Sequence, residues 1–202
     1  EDVDISSELM KEKKKKGITI YTNAKIDSES IEQTSTEVTV EVDIEGGVKA
    51  FTSEKLLLSV GRVANVKGIG IENTDIIKKK GTIVVNNNLQ TAENHIYAIG
   101  DCIGGMQLAH VAAHEGIHAV EHIAGKAEAP IDYKKIARCI YSAPEVASVG
   151  ISEREATTQG IQVKVGQFPF KAIGKALVKG ETEGFVKIIA DSDTDDVIGV
   201  HM

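Results

Sequence analysis

The sequence predicts a mixed chain, α/β with a small antiparallel meander up to about residue 130 and α+β beyond it. Three observations predict this. Val38, Val40, Val42 and Ile44 alternate with Glu37, Thr39, Glu41 and Asp43, and the turn Glu45-Gly46-Gly47 follows, so a half-wet strand returns as a hairpin over Val48 to Phe51. The unbroken apolar runs Leu56–Val60 and Ile96–Ile99 each end at a glycine, as strands covered on both faces do. After Pro130 the chain turns to short strand signals near 138–141, 146–149, 161–168, 184–190 and 197–202, with one short helix among them.

The remaining elements follow in order. Asp4 is placed to cap a helix over about residues 5–16, with Ile5, Leu9 and Met10 on its apolar face and Gly17 at its end. The lysines 13–16 then meet the negative end of the helix dipole as a solvated face rather than a phosphate site. Ile18 to Tyr21 reads as a strand, and Thr82 to Val85 as a shorter one. A helix is expected over about 107–124, stopped by Gly125. Ser152 and Glu155 have the spacing of a capping box, and Gly160 closes the helix they open.

Composition excludes several classes. The 202 residues carry a net charge of −7, so a nucleic-acid partner is not expected. No apolar run approaches the roughly 18 residues of a membrane helix, and the acidic start Glu1-Asp2-Val3-Asp4 is unlike a basic targeting segment. Two cysteines, Cys102 and Cys139, are too few for a disulfide framework. They are expected as buried thiols of a cytoplasmic protein. The first residue is not Met, and the last strand has no covering helix, so the chain is expected to be an internal piece.

Three motifs carry possible chemistry. His114-Glu115-Gly116-Ile117-His118 fits H-E-x-x-H, which sets two imidazoles on one helical face with a carboxylate as base, the arrangement of zinc peptidases. His110 and His122 extend the row at the same step. Gly116 weakens the helix at the centre, Glu121 stands where the longer peptidase pattern has Gly, and no third ligand is evident. A polar helix face is the simpler reading. In the second motif, Ile96–Ile99 carries Gly100-Asp101 to the end of a strand, and a helix follows. A carboxylate there accepts hydrogen bonds from the hydroxyls of a sugar or ribityl chain, and the free N–H groups of the helix favour an electron-rich ring. A helix-capping Asp is an equal alternative. The third, Gly68-x-Gly70, lacks the strand, helix and third glycine of a dinucleotide loop.

Leu57-Leu-Ser-Val-Gly-Arg62, Ile96-Tyr-Ala-Ile-Gly-Asp101, Leu108-Ala-His110 and Glu115-Gly116 resemble the pyridine nucleotide–disulfide oxidoreductases. Pro144-Glu-Val-Ala-Ser-Val-Gly150, Phe168-Pro-Phe170, Gly174-Lys-Ala176 and Glu183-Gly-Phe-Val-Lys187 resemble the dihydrolipoamide dehydrogenases among them. The resemblance covers essentially the whole chain. It implies that residues 1–62 end an NAD-binding domain, 63–128 complete an FAD-binding domain, both Rossmann-like, and 129–202 begin a truncated α+β dimer-interface domain. It implies FAD at Asp101, Gln107, Leu108, Ala109 and His110, with Gln107 departing from the usual Met, and NAD at Gly61 and Ile26. It also implies a homodimer that serves the lipoyl domain and E2 core of a 2-oxo-acid dehydrogenase complex. The runs Cys139–Glu145 and Asp193–Met202 resemble bacterial branched-chain forms. The redox cysteine pair and the catalytic His and Glu of that family match no residue here, so the piece alone is expected to be inactive. A non-catalytic oligomerisation or cofactor-cradle module is the alternative from another class.

Overall fold

The computed structural model describes residues 1–126 and 129–202. The expected domain boundary between 128 and 129 falls at the edge of the two residues outside that set. Residues 7–61 form one compact unit, and residues 1–6 with 62–202 form another.

Helix α1 (Val3–Lys15) opens where Asp2 Oδ1 accepts the Asp4 N–H at 3.0 Å. The cap is therefore Asp2, and the expected Asp4 is corrected, because its carboxylate turns to Lys187 and Gln167 instead. Lys13, Lys14 and Lys15 lie in the last turn. Gly17, at φ +83°, then lets its own N–H and that of Ile18 return to Lys14 and Lys13, which stops the helix.

In the smaller unit the predicted strand at 18–21 does not form. No neighbouring strand takes its backbone, and Tyr21 instead sets its ring edge-on to Phe51 at 5.3 Å. The hairpin does form. Strand β3 (Val38–Ile44) pairs antiparallel with β4 (Gly47–Ser53) across a two-residue turn. Its other edge takes two short strands that no pattern announced, β1 (Lys25–Ile26) and β2 (Glu32–Gln33). Val40 and Val42 are buried on the inward face of β3, as their alternation requires. The predicted buried strand Leu56–Val60 is the largest correction. It belongs to no sheet, and Leu57 and Val60 are 88% and 82% exposed. The apolar run specified burial, but no strand beside it among the described residues supplies that burial.

In the larger unit, residues 62–103 build a small core of Val66, Ile71, Ile83 and Ala98. Strands β5 (Lys78–Lys79) and β6 (Thr82–Ile83) form a hairpin beside it. Ile96–Ile99, expected as a buried strand, makes only a bridge from Tyr97 to Gln90. Its Ala98 anchors it in the core, and Ile99 is partly exposed. Helix α2 (Ala109–Ile123) follows, two residues later than expected.

Beyond Pro130 the α+β pattern is realised. Strands β7 (Arg138–Ile140), β8 (Val146–Gly150), β9 (Val163–Pro169), β10 (Phe185–Asp191) and β11 (Val197–His201) make one sheet in the order β7-β8-β11-β10-β9. Helix α3 (Glu153–Thr158) carries the capping box: Ser152 Oγ accepts the Glu155 N–H, and Glu155 accepts the Ser152 N–H at 2.7 Å. The backbone and side-chain bonds from Ser152 hold the Glu155 carboxyl below its ordinary range against the pull of burial, helped by Arg138. A second short helix, α4 (Gly174–Lys179), was not expected, because its six residues give too few turns for a period to show. Every ladder among the described residues is antiparallel. The α/β character expected of the first part therefore appears as mixed α and β without a parallel sheet.

One ion cluster was invisible in the sequence. Lys187 on β10 is 2% exposed, and its Nζ lies 3.0 Å from Asp2 Oδ1, 2.7 Å from Asp4 Oδ2 and 2.7 Å from Glu153 Oε2. Burial alone would depress the ammonium pKa. The hydrogen bonds to Asp4, Glu153 and Asp2, with the Asp2 charge, outweigh it and hold the pKa above its ordinary range. Burial likewise pulls Asp2 up, but the Lys187 hydrogen bond, the Asp4 N–H and the Lys187 charge carry it below its ordinary value.

Candidate functional site

The site is built where the small core hands the chain to α2. Residues Gly100–Ile103 form a single 3-10 turn. Gly100 sits at φ +71°, and a Cβ there would press on Ala112 of α2 at 3.2 Å. Gly116, one turn further along α2, leaves room for Ile99, since a Cβ would stand 3.3 Å from its Cδ1. These two glycines let the helix lie close against residues 99–100.

Polar contacts then fix the turn. Glu115 is 2% exposed, and its Oε2 accepts the Gly100 N–H at 2.6 Å. Its Oε1 accepts the Tyr133 hydroxyl at 2.8 Å. Burial first, then the hydrogen bond to Glu115 and its charge, push the Tyr133 pKa up to about 12. Cys102 Sγ donates to the Ile99 carbonyl at 3.1 Å, and the Gly104 N–H returns to Asp101 at 3.2 Å.

Asp101 is exposed, and no hydrogen bond or ion pair among the described residues engages its carboxylate. The next free donors are on α2. Leu108 stands at its N-cap, and among the described residues no side chain caps the first-turn N–H groups. An unengaged carboxylate and an uncapped helix start suit a ligand with hydroxyl donors and an electron-rich ring, as a flavin has. Gln107 and Ala109 are exposed, and Leu108 is half-buried. His110 Nε2 donates to the Ala137 carbonyl at 2.7 Å, so that nitrogen carries the proton and ties the helix start to the chain before β7.

The expected NAD residues lie in the smaller unit. Ile26 pairs with Val42 in the ladder of β1 with β3, and Gly61 is exposed at φ +110°. The histidine row does not assemble a metal site. His122 Nδ1 is engaged by the Tyr97 hydroxyl at 2.8 Å, His118 is buried, His114 is exposed, and both Glu115 oxygens are occupied. The described residues hold no cluster of three metal-ligating side chains. Cys139 is exposed and Cys102 half-buried, which corrects the expectation of two buried thiols. Cys139 lies on β7, the edge strand of its sheet, where one flank stays open.

Glu115 and Tyr133 were missed as site residues. Glu115 was read as a possible metalloprotease base, because a carboxylate inside a helix carries no mark of the backbone N–H it accepts. Its signal was the buried stripe Val111, Glu115, His118, Ala119, which places a charged residue on an inward face.

The model of the pyridine nucleotide-disulphide oxidoreductases matches residues 1–116, and that of their dimerisation domain matches residues 136–202. Dihydrolipoyl dehydrogenase of Bacillus subtilis (strain 168) is 55% identical over all 202 residues, which cover 43% of that protein. The enzyme of the same name from Zymomonas mobilis is 39% identical, with the same coverage. Among solved structures, LpdA from Mycobacterium tuberculosis superposes over the whole chain with a TM-score of 0.86 at 29% identity, with 43% of that chain covered. The HOCl-induced flavoprotein disulfide reductase RclA from Escherichia coli gives a TM-score of 0.85 at 26% identity, with 46% covered. The chain thus spans less than half the length of these relatives.

Proposed function

Because the chain belongs to the pyridine nucleotide-disulphide oxidoreductase family, we propose that it is part of a dihydrolipoyl dehydrogenase, which oxidises protein-bound dihydrolipoamide with FAD and NAD. The observation that carries this reading is the unengaged Asp101 carboxylate beside the uncapped start of α2, in a chain 55% identical throughout to such an enzyme. In this reading residues 1–62 end the NAD domain, 63–128 complete the FAD domain, and 129–202 begin the interface domain of a homodimer. The partners are the lipoyl domain and E2 core of a 2-oxo-acid complex in the cytoplasm, the branched-chain complex being favoured. No described helix is long and apolar enough to cross a membrane.

The residues have separable tasks. Asp101 accepts hydroxyls of the ribityl chain. The Leu108 N–H is taken by the Met106 carbonyl, so the segment Gln107–His110 faces the electron-rich edge of the ring through the other backbone N–H groups, and the helix dipole favours charge there. Gly61 and Ile26 contact NAD. FAD, when bound, supplies the electron transfer between a dithiol and NAD. The two cysteines here stand 37 residues apart in sequence, so they do not form the family's closely spaced redox pair.

The test replaces the matching 43% of the Bacillus subtilis enzyme with these 202 residues. The chimera is expected to purify with flavin absorbance and to reduce NAD with dihydrolipoamide, while the 202-residue chain alone is expected to do neither reaction step. A folded chimera without flavin would sink the reading and leave an oligomerisation module.

A further inference from the structure

We infer that Glu115 is a positioning residue of the flavin site, and that Tyr133 couples it to the dimerisation module. The inference rests on the FAD reading above and adds two residues that touch no cofactor.

The peptide between Ile99 and Gly100 is planar, so its C=O and N–H point in opposite directions. Both ends are held. Glu115 Oε2 takes the N–H at 2.6 Å, and the Cys102 thiol donates to the C=O at 3.1 Å. A peptide held at both ends resists rotation, and Asp101 lies one residue beyond it, after Gly100. The backbone that carries its carboxylate is thereby placed from the helix side.

Packing alone does not require a carboxylate here. Val111 and Ala119 fill the same helix face with apolar atoms. A buried acid is costly unless donors meet it, and here the donors are one backbone N–H and one phenol. Tyr133 lies beyond Pro130, in the 3-10 turn Tyr133–Lys135 that leads into β7. The hydroxyl therefore transmits the placement of that turn to the flavin loop through a single carboxylate. His110 and Ala137 make a second tie between the same two segments.

The experiment uses the chimera described above, with Glu115→Leu, Tyr133→Phe, the double variant, and Glu121→Gln as a control on an exposed position of α2. FAD is titrated into the apo-protein, the circular dichroism of bound flavin is recorded, and KM for NAD is measured. Loss of one of these hydrogen bonds is expected to raise the FAD Kd roughly 3- to 10-fold. Glu115→Leu, which can accept neither bond, and Tyr133→Phe should each do so and change the flavin dichroism, and the double variant should add less than the product of the two. KM for NAD and the Glu121→Gln control should stay unchanged. A folded Glu115→Leu protein with unaltered FAD Kd and dichroism overturns the inference. If that variant does not fold, the milder Tyr133→Phe decides on the same two readouts. A parent chimera that binds no FAD overturns the inference together with the function on which it rests.

Discussion

Replacing Lys187 by Ala should be among the most damaging single changes in the chain. The ammonium is 2% exposed and touches three carboxylates within 3.0 Å. Their environments differ. Asp4 and Glu153 are each 47% exposed and can hydrate when the partner is lost, so each forfeits at most about 1 kcal/mol. Asp2 is 2% exposed and would be left as a buried charge without a counter-ion, which costs about 3–5 kcal/mol. Lys187→Met combined with Asp2→Asn removes both buried charges at similar volume and should recover most of the loss. Calorimetric melting of the chimera and its variants reads the difference. A single-variant loss below about 1 kcal/mol would refute the reasoning, because it would mean that water already reaches Asp2 in the folded protein. The pH dependence has a definite sign. Asp2 is held below its ordinary value of 3.8, so its contribution is complete above that pH and fades as pH falls through the lowered folded value. Lys187 is held above its ordinary 10.5, so its contribution is complete below that pH and is lost only as pH rises through the raised folded value.

Further outcomes follow from other contacts. Ser152→Ala should cost about 1 kcal/mol by opening the capping box of α3, measurable in the same melts. Gly150→Ala should cost more than about 2 kcal/mol. Its φ of +81° disfavours a side chain, and a Cβ would run into the Ile198 carbonyl and stand 2.8 Å from Gly199 Cα, on the strand it pairs with. Lys164→Ala removes an ion pair whose partners are 60% and 78% exposed, and should change stability by less than about 1 kcal/mol. The Tyr133 phenol should ionise near pH 12 in the folded protein, against 10.0 for a free one. Its contribution to stability is therefore complete below pH 10.0 and fades above it, and tyrosinate absorbance in Tyr133→Phe should lack that late step.

Legibility in the sequence tracked the range of the interactions. The hairpin of β3 and β4 was readable because its period and its turn lie within seventeen residues. The capping box of α3 was readable for the same reason. Leu56–Val60 was misread because an apolar run states that a residue prefers burial and says nothing of which strand will cover it. The site divided in the same way. Asp101 and the start of α2 could be placed from a run ending in glycine and aspartate. The grip of Glu115 on Gly100 spans 15 residues, and its bond to Tyr133 spans 18, with no periodic signal linking either pair. Lys187 was visible only as part of a resemblance, and its three partners were not visible at all.

The sequence separation of 185 between Asp2 and Lys187 also sets a clock. During synthesis at roughly 5–20 residues per second, Asp2 is made some 10–40 s before its counter-ion. Throughout that interval the carboxylate must stay hydrated, because nothing yet exists to balance it in a dry interior. The segment around Asp2 and Val3 can therefore dock on Lys187 only once β10 has been made. Its docking is a late event of biogenesis, ordered by translation rather than by local preference.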